Sequence, residues 1–338
     1  MWSWGTADIT LLPTQKGWEG DGNIGKMSPK LAVLFHPAYL EHVAGHMHPE
    51  RPERLAAIME MAKKSGIWKN IETPEPPPAP TSAIARVHSA SHIDRVQSAC
   101  VLGRSLDADT GTCTETWDAA LLAVGAGITA VDLVMKGSIN RAFCAVRPPG
   151  HHAESNRAMG FCLLNNAAIA ARHIQDQHGL KKVAIVDFDA HHGNGTQEIF
   201  YSDGSVLYAS THQWPLFPGT GSHEEIGRDG GEGATVNCPL EAGAAMPDFQ
   251  AAFEDTILPA LDKFKPEFLL ISAGFDSHRD DPLTDLGLQS ADFGVLTGML
   301  TDLADRHCGG RVVSFLEGGY DLHALAASTL AHLTALSV

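Results

Sequence analysis

Short, almost continuously apolar runs alternate with longer amphipathic segments along most of this chain. Six apolar runs are rich in β-branched and aromatic residues, as is typical of strands buried on both faces, and they span 31–35, 142–146, 182–188, 205–210, 267–274 and 311–317. Six segments have helical periodicity, at 52–65, 83–98, 117–136, 165–178, 246–264 and 290–307. The alternation predicts an α/β fold in which helices cover both faces of a mostly parallel sheet.

Two segments fall outside this alternation. Residues 1–26 contain three tryptophans and show no clear periodicity, which predicts a flexible N-terminal extension, an artefact of the start site, or an arm that packs on a partner subunit. The proline-rich segment 73–82, "TPEPPPAPTS", predicts a loop, because proline is excluded from helix interiors and central strands. We expect residues 27–338 to form a single domain.

Composition limits the possible partners. A formal net charge of −16 argues against a general nucleic-acid binder, which would present a basic patch to phosphates. The charge suits a cationic substrate such as a lysine tail or a polyamine, although many proteins are acidic without having such a substrate.

Cysteine usage and apolar run lengths bear on the compartment. Six cysteines form no C-x-x-C pair, so we expect reduced thiols in the cytoplasm. No stretch approaches 18 consecutive apolar residues, and no basic start followed by an apolar run opens the chain, which predicts neither a membrane span nor a secretory signal.

Polar residues gather directly after four of the predicted strands. The segments are "RPPGHHAESNRAMGFCLLNN", "DFDAHHGNGTQ", "AGFDSHRDDPL" and "EGGYDLHAL". In open α/β sheets, ligands bind beyond the carboxyl ends of the strands. The four segments therefore predict one functional site at this edge of the sheet.

A metal is the first chemistry that these residues indicate. Asp189 and His191 are two apart, so they face the same side of an extended chain. With Asp276 they supply two oxygen ligands and one nitrogen ligand and leave a position open, as catalytic zinc requires. A lone Asp-x-His pair more often caps a turn, but the convergence of strand ends favours a metal. The same ligand types also suit iron(II).

The histidine pair and a tyrosine suggest the rest of the chemistry. His151 and His152 could transfer protons beside the metal, because imidazole titrates near neutrality. Asp187 and Asn194 are available to fix their tautomers. Tyr320 lies in a glycine-flanked turn, where its hydroxyl could reach a substrate carbonyl; the alternative is a half-buried core tyrosine.

These segments, together with "LFPGTG" and "HPERPERL", resemble the zinc-dependent histone deacetylase superfamily, which includes acetylpolyamine amidohydrolases and acetoin-utilisation proteins. The motifs follow in order from about residue 31 to 325. "HPERPERL", Asn194 and "EGGYDL" are most similar to the class II branch and its bacterial relatives. The resemblance implies an arginase-like fold with a central, mostly eight-stranded parallel sheet.

The resemblance also implies roles for individual residues. Zinc would be bound by Asp189, His191 and Asp276. His152 would act as general base and acid. His151, paired with Asp187, would give electrostatic support or help to protonate the leaving amine. Tyr320 would polarise the amide carbonyl. Asn194 replaces an aspartate of class I members, so His152 should lose its proton more easily.

Further implied sites hold potassium and substrate. One structural potassium site would use Asp187, Asp189, His191, Ser210 and Thr211, and a second would use backbone oxygens near Phe200, Asp203 and Val206. The acyl-lysine tunnel would be lined by Gly160, Phe161, Phe217, Leu283 and Gly319. Arg51 would line the internal cavity behind the metal. Asp109, or nearby Asp107, would hold the substrate backbone at the rim.

The function implied is removal of acetyl or other acyl groups from N-acetyl-lysine in peptides and proteins, or from related N-acyl amines. An acetylpolyamine amidohydrolase is the alternative, disfavoured by Leu283, which stands where polyamine-selective eukaryotic relatives carry glutamate. A catalytically silent acyl-lysine-binding protein is a further alternative. Such a protein would be expected to lack part of the ligand set or Tyr320, and this chain has both. An arginase-type enzyme with two metals would require more carboxylates. A homo-oligomer is compatible with all of these alternatives.

Overall fold

Seven strands form one fully parallel sheet at the centre of residues 30–338, the part of the chain that the computed structural model describes. The strands are β1 (Leu31–Leu34), β2 (Arg141–Cys144), β3 (Val183–Asp187), β4 (Val206–Gln213), β5 (Thr235–Leu240), β6 (Phe268–Ala273) and β7 (Val312–Leu316). Their order across the sheet is β1-β2-β7-β6-β3-β4-β5. The predicted α/β architecture is confirmed, and the predicted extension over residues 1–26 lies outside the described residues.

The strand count differs slightly from the expectation. The family resemblance implied about eight strands, whereas the described residues contain seven. Strand β5 was missed by the sequence pattern because Asn237 and Pro239 interrupt its apolar positions. It pairs only with β4, at the edge of the sheet, where proline is tolerated because one side of the strand needs no ladder hydrogen bonds.

Ten α-helices pack around the sheet in the described residues. They are α1 (Glu53–Lys64), α2 (Thr81–Ile84), α3 (Ala90–Leu102), α4 (Thr116–Met135), α5 (Asn166–His178), α6 (Asn194–Phe200), α7 (Met246–Ala252), α8 (Leu258–Phe264), α9 (Ser290–His307) and α10 (Leu322–Leu336). Short 3-10 turns lie at Pro37–Leu40, Gly66–Asn70 and Asp229–Gly231, and the π-helical turn Phe253–Ile257 joins α7 to α8.

Three helical regions differ from the pattern-based prediction. The single helix expected over 83–98 is two helices, α2 and α3, with a break before Ser89, whose side chain caps α3. Helix α6 is too short to show periodicity. Helix α10 was not predicted because it is apolar on most of its circumference, being packed between α1 and α9.

Helix α4 is, by length and composition alone, apolar enough to cross a membrane. Asp118 and Asp132 interrupt its apolar positions, so it is not an unbroken apolar run of 18 residues, and the absence of a membrane span stays a prediction. In the fold, 61% of its apolar window is buried, against α5 and β2 among others, as in the core helix of a globular domain. The six cysteines are all free thiols, as predicted.

A buried ion cluster ties the segment before α1 to the loop after β2. The carboxylate of Glu50 is fully buried and is bonded by both Nε and Nη2 of Arg147, the latter at 2.7 Å. Arg54 Nη1 donates to the same carboxylate at 3.0 Å, and His42 Nε2 lies 3.5 Å away. Burial favours the neutral acid, but Arg147, His42 and Arg54 together hold the pKa of Glu50 well below its usual range.

Replacing Glu50 with glutamine should lower the free energy of unfolding by about 3–5 kcal/mol, because two buried arginines lose their counter-charge. Urea denaturation at pH 7 measures this. The control is Glu53→Gln, an exposed residue of the first turn of α1, which should change stability by less than about 0.5 kcal/mol. Equal stability of the two variants would show that the cluster contributes nothing specific.

Candidate active site

The four polar segments described above follow four neighbouring strands of the sheet. β2, β7, β6 and β3 are adjacent in the sheet and parallel, so their carboxyl ends meet at one edge. The histidine pair follows β2, the Asp-x-Asp-x-His segment continues from β3, Asp276 follows β6, and Tyr320 follows β7. The topology therefore brings together residues that lie up to 169 positions apart.

Asp189, His191 and Asp276 converge on one point. Nδ1 of His191 lies 3.2 Å from Oδ1 of Asp189 and 3.0 Å from Oδ2 of Asp276. One ligand atom from each of the three lies within 4.8 Å of the others. Both carboxylates are fully buried, whereas the His191 side chain keeps 12% of its surface exposed. The three therefore form a buried ligand set with one accessible side.

Two glycines allow the backbone to approach these carboxylates. The N–H of Gly318 donates to Oδ2 of Asp189 at 2.8 Å, and a Cβ at Gly318 would lie 2.2 Å from Oδ2 of Asp276. A Cβ at Gly274 would lie 2.0 Å from Oδ2 of Asp189. No other residue fits at either position without displacing the ligand set.

The electrostatics of this set favour a positive charge at its centre. Burial disfavours the charged imidazole of His191, yet hydrogen bonds to Asp189 and Asp276 outweigh it and raise its pKa to about 10. Burial, with the neighbouring charge of Asp189, also raises the pKa of Asp276. Two buried carboxylates without a cation would repel each other, and an oxygen–oxygen–nitrogen set with an open side fits a divalent zinc or iron(II) ion.

The two histidines after β2 differ in environment. His151 Nδ1 lies 3.0 Å from Oδ2 of Asp187, and His152 Nδ1 lies 2.9 Å from Oδ1 of Asn194. Burial opposes charge on both. For His151 the carboxylates of Asp189 and Asp187 outweigh burial and raise the pKa to about 10. For His152 burial prevails, reinforced by the neighbouring His151 and His191, and its pKa falls well below the ordinary value. These surroundings therefore favour the charged form of His151 and the neutral form of His152.

Two aromatic side chains pack beside this centre. The ring of Phe217, 41% exposed, packs edge-on to His152 with centroids 5.1 Å apart. Phe161 packs edge-on to Tyr320 with centroids 5.9 Å apart. A Cβ at Gly160 would lie 2.5 Å from His152 and 3.0 Å from Phe217, so no side chain fits at this position without displacing them. The acyl-lysine tunnel expected at these residues stays a prediction.

Tyr320 is held by its backbone and its ring, not by its hydroxyl. Its N–H donates to Oδ2 of Asp281 at 2.7 Å, and its ring lies beneath the guanidinium of Arg54, 4.9 Å from the ring centroid. The described residues give its Oη no hydrogen-bond partner. Burial raises the pKa of the phenol well above 10, although Arg54 opposes this, so the hydroxyl stays a donor.

The three residues predicted to form the rim differ in their contacts. Leu283, 37% exposed, donates its N–H to Oδ1 of Asp281, the same carboxylate that holds Tyr320. Asp109 is exposed, and its carbonyl accepts from Nε2 of His48, whose ring packs on Phe161 at 4.6 Å. Asp107 instead uses Oδ1 to accept from the N–H groups of Asp109 and Thr110, so it shapes the turn.

The residues implied to hold potassium fall into two groups. Asp187 and Ser210 are register partners on β3 and β4, and the buried hydroxyl of Thr211 has no partner among the described residues. In the second group, the carbonyls of Phe200 and Asp203 accept from the N–H groups of Asp203 and Val206 in the turn before β4. Both groups contain oxygen atoms, and the two potassium sites stay predictions.

One implied position is wrong. Arg51 is exposed and precedes α1, whereas Arg54, three residues later, is completely buried behind the site. Arg54 donates from Nε to the carbonyl of Gly319 at 2.6 Å and from Nη2 to the carbonyl of Glu317 at 2.5 Å. The Gly319 carbonyl therefore faces Arg54, and Arg54 takes the place behind the site that was expected for Arg51.

Sequence reasoning also missed two buried acids. Glu317 accepts from the N–H groups of Gly150 and His151 at 2.7 and 3.1 Å, which holds the histidine loop against β7. Asp281 holds the backbone of Tyr320. Burial raises the pKa of each carboxyl to about 7. Both stand within the quoted motifs, but an acid next to a glycine or a proline does not by itself signal burial.

Comparisons with known proteins agree with this geometry. A model of the histone deacetylase domain family matches residues 48–336. A probable deacetylase of Archaeoglobus fulgidus is 41% identical over 308 residues, covering 90% of this chain and 86% of the relative. The histone deacetylase-like amidohydrolase of Pseudomonas aeruginosa is 37% identical, covering 86% of this chain and 77% of the relative.

Two further comparisons concern a human relative and a solved structure. The human polyamine deacetylase HDAC10 is 40% identical over 82% of this chain, which corresponds to 43% of that protein. The crystal structure of the HDA15 HD domain superposes with a TM-score of 0.87 at 40% identity, covering 91% of this chain and 90% of that one.

Proposed function

Because this chain belongs to the histone deacetylase family, whose members include named deacetylases and amidohydrolases, we propose that it is a zinc-dependent deacetylase acting on N-acetyl-lysine side chains or related N-acyl amines. The observation that carries the proposal is one constellation: a buried ligand set, a histidine hydrogen-bonded to Asn194, and a phenol that has no hydrogen-bond partner among the described residues and packs on Phe161.

Asp189, His191 and Asp276 would hold the zinc ion through two oxygens and one nitrogen. When bound, zinc supplies Lewis acidity, which acidifies water and polarises a carbonyl group. Potassium would be held by Asp187, Asp189, His191, Ser210 and Thr211, and a second ion by the turn at Phe200, Asp203 and Val206. These ions would neutralise the carboxylates that β3 carries into the core.

His152 is suited to be the general base, because its low pKa leaves it neutral at pH 7. Its Nδ1 is bonded to Asn194, so Nε2 is available to accept the proton of the attacking water. His151 stays cationic between Asp187 and Asp189, 3.8 Å from the latter, and favours negative charge in the transition state. The proton held by His152 then returns to the leaving amine, and acetate is released.

Tyr320 would donate a hydrogen bond to the carbonyl oxygen of the substrate. That bond strengthens as negative charge develops on the oxygen during attack. Phe161 and Phe217, which pack on Tyr320 and His152, would line a passage for the four-carbon stem of an acyl-lysine, and exclusion of water there would strengthen these polar interactions. An acidic protein surface also attracts a basic peptide.

A second candidate substrate is an acetylpolyamine, because one relative is named a polyamine deacetylase. The half-exposed apolar side chain of Leu283 supports the lysine substrate instead, since it offers no counter-charge to a distal ammonium group. The zinc-loaded protein should therefore turn over an acetyl-lysine peptide with a higher kcat/KM than N-acetylspermidine. No turnover of either substrate would contradict the deacetylase proposal, and the reverse order would contradict only the substrate assignment.

Leu283→Glu should raise kcat/KM for N-acetylspermidine roughly fivefold, because an exposed ion pair contributes up to about 1 kcal/mol. The gain should shrink at high salt. Leu283→Gln is the matched control, with similar volume and no charge. Equal kcat/KM for the two variants would show that position 283 does not face the substrate.

A further inference from the structure

The general base is connected to a third side chain through Asn194. Nδ1 of His152 lies 2.9 Å from Oδ1 of Asn194, and Nδ2 of the same amide donates to Oε1 of Glu154 at 2.8 Å. A second, weaker contact joins Nδ2 to the sulfur of Met159 at 3.3 Å. Asn194 therefore lies between a histidine and a carboxylate, with a different end of its amide facing each.

The chemistry of these groups permits only one arrangement. An ionised carboxylate accepts hydrogen bonds and cannot donate them, so Glu154 requires the NH2 end of Asn194. The oxygen end must then face His152, which has to carry its proton on Nδ1. Nε2 is left with a lone pair. If the amide were reversed, its NH2 group would face Nδ1 and favour the other tautomer, in which Nε2 carries the proton and cannot act as a base.

Glu154 is itself held by the backbone on both sides. Its N–H donates to the carbonyl of Arg157 at 2.9 Å. Its carbonyl lies 3.0 Å from Nδ1 of the buried His88, whose Nε2 accepts from the N–H of Asn165 at 2.9 Å. Because Nε2 of His88 is an acceptor, its Nδ1 must be the donor to Glu154. The carboxylate thus extends from an anchored backbone two residues after His152.

We propose that Glu154 is a positioning residue for the deacetylase reaction: it orients the amide of Asn194 and thereby selects the tautomer of His152 that can accept a proton. The inference rests on the proposed function. It assigns to Glu154 a role that a neutral asparagine cannot perform alone, because an isolated amide can face a histidine with either end.

The test exchanges donors and acceptors along this chain of contacts. Glu154→Lys presents only donors, so it should reverse the Asn194 amide and lower kcat about 100-fold, within the range that general base catalysis contributes. KM and zinc content should change little. In the presence of Asn194→Asp the same substitution should be nearly harmless, because a carboxylate at position 194 accepts from the introduced ammonium group and from His152 at once.

The double variant Glu154→Lys with Asn194→Asp should therefore have a kcat within about threefold of the wild type. Glu154→Gln with Asn194→Asp should behave the same way, which guards against poor folding of the lysine variant. Such compensation would not occur if Glu154 only stabilised its loop. The control is Glu198→Lys, which makes the same charge change at a nearby carboxylate. Glu198 accepts hydrogen bonds from the N–H and the hydroxyl of Ser155, the residue after Glu154. Asn194→Asp should not alter the effect of Glu198→Lys.

The outcomes distinguish failure of the positioning role from failure of the proposed function. A wild-type protein without deacetylase activity would contradict the proposed function. An active wild type with normal kcat in Glu154→Lys would overturn the role of Glu154 alone. The role would also be overturned if both double variants were as slow as the single lysine variant while retaining zinc and a wild-type circular dichroism spectrum.

Discussion

Replacing Asp276 with alanine is expected to remove the metal and to lower kcat at least about 1,000-fold, because several kcal/mol of charge stabilisation would be lost and each 1.4 kcal/mol is tenfold in rate. Oδ2 of Asp276 lies 3.0 Å from Nδ1 of His191, so the substitution removes one of three ligands. The remaining pair, Asp189 and His191, carries a single negative charge for a divalent ion.

Zinc content by plasma mass spectrometry and kcat on an acetyl-lysine peptide measure the two effects. The matched control is Asp280→Ala in the same loop, whose side chain is 62% exposed and which should keep both zinc and activity. A circular dichroism spectrum like that of the wild type would show that the fold is intact. Full zinc content in Asp276→Ala would contradict the ligand assignment, and full activity without zinc would contradict the metal mechanism.

Tyr320→Phe is expected to lower kcat roughly 100- to 1,000-fold while zinc content stays near that of the wild type, because removal of one oxyanion donor typically costs about 2.7–4 kcal/mol. The phenylalanine ring can keep its contacts with Phe161 and Arg54. The hydroxyl makes no hydrogen bond to the described residues, so its removal should leave folding unaffected. KM should change little, since the carbonyl oxygen gains its charge only in the transition state.

The control for Tyr320 is another buried tyrosine with a structural hydrogen bond. The hydroxyl of Tyr39 donates to the carbonyl of Leu122 at 2.9 Å. Tyr39→Phe should lower the free energy of unfolding by about 1 kcal/mol and leave kcat unchanged. If Tyr320→Phe behaved like Tyr39→Phe, Tyr320 would be a core residue, and the protein would lack the oxyanion donor expected of a deacetylase.

The strands that carry the site were predictable because each is a short, continuous apolar run, and burial on both faces of a sheet requires such a run. The polar residues at the ends of these strands were equally visible. Two aspartates and two histidines lie within six positions at the carboxyl end of β3, and such residues have no reason to end an apolar strand unless they bind a ligand. Local pattern and the family resemblance were therefore sufficient to single out Asp189, His191, Asp276 and the histidine pair, which the structure brings together.

Two arginines of one motif show that the local sequence pattern does not predict which polar side chain is buried. Arg51 and Arg54 occur in one motif, "HPERPERL", and both are equally polar in sequence. Helix α1 begins at Glu53, so Arg51 precedes it in solvent while Arg54 faces inward. Its burial is offset by carbonyls of Glu317 and Gly319, more than 260 residues away. Only the packing of α1 against the end of β7 distinguishes the two.

By itself the sequence determined six of the seven strands, which residue types follow them, and hence that a metal and proton-transfer chemistry were to be expected. The tertiary structure alone decided that β2, β7, β6 and β3 are neighbours and that Glu154 reaches the base through Asn194, 40 positions away. The reason is physical: hydrophobic periodicity reports whether a residue is buried, whereas hydrogen-bond partners depend on distances of about 3 Å that only the packed chain defines.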